Sequence, residues 1–266
     1  MSRDTVLFDI NETVLDLSSL KPGFEAVFQD AGVIATWFAM LLQTSTVCAL
    51  TGVETGFARL AAITLDAVAA RRGVTLSEDR RTDILKGFAG LNPHPDIKPA
   101  LARLRAAGYR TVAFSNSSLD LVSSQIANAG LNESFDDVVS VEKTGSFKPD
   151  PKVYRFVADH LERPIQDLRL VATHDWDTHG AMSAGMQAAY IDRSGAPYHP
   201  LYRKPDVFGK DMTGRPVDFP VPLISGRLCL RVIDPNQGGA CCGVLPLGCD
   251  AENSMSRPNG QVNSNA

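Results

Sequence analysis

The stretch Val6-Leu7-Phe8-Asp9-Ile10-Asn11-Glu12-Thr13-Val14-Leu15-Asp16 decides the architecture. Val6, Leu7 and Phe8 make a short, wholly apolar run, the pattern of a strand covered on both faces of a parallel sheet. The run ends on a carboxylate, Asp9. In open parallel α/β sheets, ligands bind beyond the carboxyl ends of the strands. A bare carboxylate there serves as a metal ligand, a base or a nucleophile. Thr13, four residues on, can hydrogen-bond whatever Asp9 holds.

Outward from this strand the chain has two textures. Residues 17–92 carry helical periodicity without strand-like alternation. Pro22 opens one helix with Phe24, Val27 and Phe28 on a face, and Ile34, Phe38, Leu41 and Leu42 repeat at helical spacing beside Trp37. Phe57 to Val68 gives a third helix closed by Arg71-Arg72-Gly73, and Ser77 caps a fourth running to about Ala89. Asn92-Pro93-His94-Pro95 is a proline-rich hinge. From Asp96, strands Tyr109–Phe114, Val138–Val141, Leu168–Ala172 and Gln187–Ile191 alternate with helices, which implies a parallel sheet closed by the last of them. Asp150 is a good N-cap and Pro151 a good first residue for the helix after Lys148.

Composition excludes several classes. With 266 residues, 44% hydrophobic and 21% charged, the chain is long enough for a real core. A net charge of −4 gives no basic footprint for nucleic acid. No stretch reads as a signal peptide, and Val33 to Leu42 is too short to span a bilayer, so a cytoplasmic protein without a membrane partner is expected. A homodimer is one option left open. Cys48 stands alone in the first 216 residues, which suits a reducing compartment. Cys229, Cys241, Cys242 and Cys249 have no zinc spacing and read as free thiols. Residues 206–266 form an atypical tail, expected to be poorly ordered and dispensable beyond about 225 because it is too proline-broken to bury a core.

Four polar clusters follow four different strands: Asp9 with Thr13, Ser115-Asn116, Lys148, and Asp175-Trp176-Asp177. A parallel sheet gathers them around one crevice. Asp9 would attack. Ser115, Asn116 and Thr13 would donate hydrogen bonds, Lys148 would keep Asp9 ionised, and Asp177 would orient water. Trp176 suits core packing or a pocket wall about equally. His174, Asp175, Asp177 and His179 resemble a metal cluster, but adjacent turn residues rarely converge on one ion, so neither metal nor cofactor is expected.

The order and spacing of these motifs over residues 6–193 resemble the haloacid dehalogenase superfamily, and within it the L-2-haloacid dehalogenases. The resemblance rests on Asp9-x-x-x-Thr13, Phe114-Ser115-Asn116-Ser117, Lys148-Pro149-Asp150 with Tyr154, and Trp176-Asp177-Thr178-His179-Gly180-Ala181. It implies an α/β fold: a Rossmannoid parallel-sheet core (residues 1–16 and 93–205) with an inserted all-helical cap (residues 17–92). It also implies hydrolytic dehalogenation of short 2-haloalkanoic acids by metal-free, two-step displacement: Asp9 expels halide with inversion, and water positioned by Asp177 and Lys148 cleaves the ester. Phosphatases of the superfamily place a general acid two residues after the nucleophile. Here that residue is Asn11, tolerable for a halide leaving group and damaging for a phosphate ester. The alternatives are a magnesium-dependent phosphatase and a catalytically degenerate binding protein. Asn11, Trp37, Tyr154, His174 and Trp176 are expected around the substrate. Gln29 aligns with the cap arginine by which the family holds halide, and His174 takes the place of an asparagine.

Overall fold

The computed structural model describes residues 5–213. Six parallel strands form the sheet, in the order β5-β4-β1-β6-β7-β8. The central strand β1 (Thr5–Phe8) is buried along its whole length, as its apolar run requires. It pairs with β4 (Arg110–Ser115) on one side and β6 (Leu168–Ala172) on the other, with Leu7 in register with Val112 and Leu170. Beyond them lie β5 (Asp137–Ser140) and β7 (Gln187–Ile191). The order reverses at β1, so the crevice at a topological switch point opens directly over Asp9.

The chain leaves the core through β2 (Leu15–Asp16) and returns through β3 (Asn92–Pro93). These two short strands pair antiparallel, Leu15 with Pro93 and Asp16 with Asn92. Between them lie α1 (Lys21–Phe28), α2 (Val33–Thr51), α3 (Phe57–Arg71) and α4 (Glu78–Gly87). Pro22 sits in the first turn of α1, where its missing N–H costs nothing, and Ser77 caps α4 by accepting from Arg80 N at 3.3 Å. The cap core is aromatic: Trp37 packs against Phe24 and Phe88 at centroid separations of 5.4 and 5.8 Å. Helix α2 runs to Thr51, further than the apolar stretch ending at Leu42. Its 19 residues, with a mean hydropathy of 1.6, would on length and composition alone suffice to cross a membrane. In the structure Val33, Ile34, Trp37, Phe38 and Leu41 are instead buried in the cap.

Helices α5 (Ile97–Ala106), α6 (Leu119–Asn128), α7 (Pro151–His160) and α8 (Asp175–Ala184) flank the sheet. Asp150 caps α7 by accepting from Lys152 N at 2.9 Å. The sheet does not close at Gln187–Ile191. A sixth strand, β8 (Val207–Gly209), pairs with β7, so ordered packing continues into the segment read as tail. Three half-exposed residues ending in glycine carry no strand signal. Side chains from the core hold them in place: Arg169 on β6 reaches Asp206 Oδ1 at 2.7 Å, and Asp96 accepts from Met212 N at 2.6 Å. The expectations for residues beyond about 225, including the four late cysteines, lie outside the described residues.

Gly180 on α8 sits where a side chain would strike α7. An added Cβ would stand 2.6 Å from Pro149 Cβ and 2.8 Å from the Tyr154 hydroxyl. Gly180→Ala should therefore destabilise the protein by about 1–3 kcal/mol through overpacking, despite alanine's better helix propensity. Urea unfolding checks this: the midpoint should fall at unchanged slope, and a midpoint at or above wild type would show that Pro149 and Tyr154 yield freely.

Candidate active site

Strand β1 delivers Asp9 to the crevice, where its backbone N–H donates to Val171 O at 3.0 Å. The chain then folds back, with the N–H groups of Val14 and Leu15 both donating to Ile10 O at 2.9 Å. This turn brings Thr13 under Asp9. Its hydroxyl donates to Asp9 Oδ2 at 2.7 Å and accepts from Thr173 N at 2.9 Å, tying the loops after β1 and β6 together. The fold-back places Glu12 at φ +66°, a left-handed conformation costly for a residue with a Cβ.

Lys148 is the hub. It is 1% exposed, and its ammonium donates to Asp9 Oδ1 (3.1 Å), Asp177 Oδ2 (2.9 Å) and Phe114 O (3.0 Å), satisfying all three of its protons. It also lies 4.5 Å from the centroid of the Phe114 ring. Its backbone N–H donates to Asn116 Oδ1 at 3.0 Å, and the Ser115 hydroxyl accepts from Ser117 N at 3.1 Å, so these two β4-end residues accept from backbone and shape the loops, where the sequence suggests donors to the carboxylates. Asp177 is fully buried, and Tyr154 OH donates to its other oxygen at 2.5 Å. Asn11 is also buried: its amide donates to Ser117 Oγ at 3.3 Å and its oxygen accepts from Gln125 at 3.1 Å.

Against Asp9 stands a second cation. His174 Nε2 lies 2.8 Å from Glu12 Oε2, and its Nδ1 lies 3.3 Å from Asp9 Oδ2, close enough for an ion pair but without hydrogen-bond alignment. Its ring is stacked on Trp176 at 5.2 Å and approaches Phe38 of the cap at 6.3 Å. A carboxylate only accepts, so an imidazole facing one at each nitrogen is held as imidazolium. Burial pushes His174 down, but Asp9 and Glu12 overcome it and raise its pKa to about 10. Burial likewise pushes Asp9 up, and Lys148, His174 and Thr13 outweigh it, leaving the nucleophile well below the usual carboxylate range. Burial raises Asp177, and the charge of Asp9 adds to this against the pull of Lys148.

The crevice thus gathers Asp9, Thr13, Ser115, Asn116, Lys148, Tyr154, His174, Trp176 and Asp177, with Asn11 bracing from behind. It does not gather Gln29 or Trp37. Gln29 is the exposed, left-handed end of α1 at φ +53°, its N–H donating to Glu25 O at 2.9 Å. Trp37 is fully buried inside the cap and donates its indole N–H to Ala61 O at 3.0 Å. The aromatic that reaches the site is its neighbour Phe38, one position round the helix. Glu12, Gln125 and Arg193 escaped sequence reasoning. Arg193 donates to both oxygens of Asp96 (3.0 and 2.9 Å) and to Thr13 O (3.1 Å), bracing the nucleophile loop. Only the carboxylate of Glu12, beside Asp9, offered a signal.

Residues 3–168 match the family model of the haloacid dehalogenase-like hydrolases. The chain is 26% identical to the (S)-2-haloacid dehalogenase of Pseudomonas fluorescens over 75% of its own length and 88% of that protein. It is 30% identical to the (S)-2-haloacid dehalogenase of Xanthobacter autotrophicus over 71% of its length and 74% of that protein. The solved structure of L-2-haloacid dehalogenase from Xanthobacter autotrophicus with chloropropionic acid covalently bound superposes with a TM-score of 0.73 at 26% identity. That alignment covers 79% of this chain and 96% of the other.

The His174 pairing makes stability depend on pH. A folded-state value of about 10 against an ordinary 6.5 means the contribution is complete below 6.5 and is lost as pH rises toward 10. Wild type should therefore lose stability relative to His174→Asn as urea unfolding is repeated from pH 6.5 to pH 10. A stability gap between the two that stays constant with pH would mean that His174 is neutral in the folded protein.

Proposed function

The chain belongs to the haloacid dehalogenase-like hydrolases, and on that premise we propose that it hydrolyses the carbon–halogen bond of short 2-haloalkanoic acids through an ester on Asp9. The observation that carries this reading is an ionised carboxylate at the strand end whose neighbour two positions on is an amide and not a carboxylic acid. Lys148 and Thr13 hold Asp9 charged, and the residue two positions on, Asn11, is an amide engaged with Ser117 and Gln125. A halide departs as a stable anion and needs no acid, whereas an alkoxide leaving a phosphate does.

In the first step a carboxylate oxygen of Asp9 displaces halide at C2, inverting that carbon and forming the ester. Lys148 and His174 supply the positive potential in which charge moves from carboxylate to halide. In the second step water adds to the Asp9 carbonyl carbon, and collapse releases the 2-hydroxy acid. The covalent chloropropionate of the Xanthobacter autotrophicus enzyme supports this route. The exposed Gln29 leaves the cap without a cation at the position aligned with the family's arginine.

Halide release from chloroacetate, bromoacetate and 2-chloropropionate tests the reading, and Asp9→Asn should abolish it because an amide is a far weaker nucleophile. One turnover in heavy-oxygen water should place the label in Asp9 and none in the product; label in the product alone would mean direct attack by water. Activity should survive a chelator, because Lys148 already balances the paired carboxylates. Loss on chelation with rescue by magnesium would move the chain to the phosphatases.

A further inference from the structure

The water that cleaves the ester needs a base, and the carboxylate expected to serve is occupied. Asp177 is fully buried, with Oδ1 taken by Tyr154 and Oδ2 by Lys148. On the other side of Asp9, His174 Nδ1 stands 3.3 Å from a reacting oxygen with no aligned acceptor, while Nε2 is anchored at 2.8 Å on Glu12. A reacting group, a base beside it and a third residue orienting that base are the three parts of an activated nucleophilic site. From this geometry we infer that His174, oriented by Glu12, is the general base of ester hydrolysis, an inference that rests on the dehalogenase reading.

The role follows from what ester formation does to charge. In the free enzyme the Asp9 carboxylate holds the proton on His174 Nδ1. Alkylation of Asp9 removes that negative charge, and Nδ1 releases its proton to solvent while Nε2–H stays on Glu12. The exit is at hand: Glu12 is 38% exposed, and a cleft of about 240 Å³ lined by Glu12, Asp16, His94, His174 and Arg193 adjoins it. Water then adds its oxygen to the Asp9 carbonyl carbon and gives one proton to Nδ1. The tetrahedral intermediate breaks its bond to the substrate oxygen, which leaves as the hydroxyl of the 2-hydroxy acid with that proton. The remaining proton of the water passes from the new carboxyl group to His174 and restores the ion pair. Over the cycle one water and one haloacid give one hydroxy acid, one halide and one proton.

The charged groups facing His174 are Asp9 and Glu12 from the β1 loop. Asp16, His94 and Arg193 line the cleft beyond, and Lys148 lies across Asp9. Of these, His94 is the other group able to titrate near neutrality; burial and Arg193 push it down.

The test is rapid-quench mixing of the full chain with bromoacetate, following bromide and, by intact-protein mass, the carboxymethyl ester on Asp9. His174→Gln should release about one equivalent of bromide in a burst and accumulate the ester. Its breakdown should slow about 10²–10⁴-fold, the usual worth of a general base. In wild type the breakdown rate should rise with pH to a plateau; His174→Gln should lose that limb and His94→Gln should keep it. Ester breakdown in His174→Gln at the wild-type rate would overturn the inference. Should that variant not fold, Glu12→Gln keeps the imidazole while removing its anionic partner. It should shift the limb to lower pH, and an unmoved limb overturns the inference as well. No bromide from wild type would instead remove the dehalogenase reading and this inference with it, whereas bromide release with unslowed variant turnover removes the inference alone.

Discussion

Two ionised carboxylates cannot share a buried crevice without positive charge between them, and Lys148 supplies it. Its ammonium joins Asp9 after β1, Asp177 on α8 and the Phe114 carbonyl on β4, so three elements of the fold meet at one nitrogen. Breaking such a pair by removing one partner typically costs about 3–5 kcal/mol, because the charge left behind has neither water nor counter-ion. The surroundings serve this arrangement. Tyr154 and Asn116 fix the Asp177 carboxylate and the Lys148 backbone, and Phe114 turns its ring toward the charge. The same stabilisation that keeps the site folded keeps Asp9 ionised.

Charge is balanced on both sides of the nucleophile. Lys148 stands between Asp9 and Asp177, and His174 between Asp9 and Glu12. The two cations differ in kind. Lys148 spends its three protons on fixed acceptors. His174 has one nitrogen anchored and the other free of an aligned partner, beside the atom whose charge changes during turnover. Where the resemblance implies an asparagine, position 174 thus brings a titrating group into the site.

The core was legible because its signals are local. The apolar run ending at Asp9, the glycine- and proline-punctuated helices and the Asp150-Pro151 cap each state their own conformation, and parallel topology then forces the strand-end residues together. What escaped depends on neighbours distant in sequence. Strand β8 is three residues set by Arg169 and the β7 edge. Helical spacing could not say which of Trp37 and Phe38 faces the crevice, since adjacent positions differ by about 100° around a helix of 3.6 residues per turn. Gln29 aligned with the family's arginine, yet the end of α1 turns it to solvent. The role of Glu12 was not legible because the residue it pairs with, His174, lies far along the chain.

The paired strands β2 and β3 give the cap a single doorway. Entry and exit run side by side, so the sheet sees the intervening helices as one closed loop hung from two adjacent anchors. Insertions whose ends lie together are tolerated because they leave the host's register untouched. The helices between Leu17 and Leu91 can thus lengthen, shorten or be exchanged as a cassette while β1, Asp9 and Lys148 stay where they are. Evolution can remodel most of what covers the crevice without disturbing its floor, so long as Phe38 keeps its place against His174.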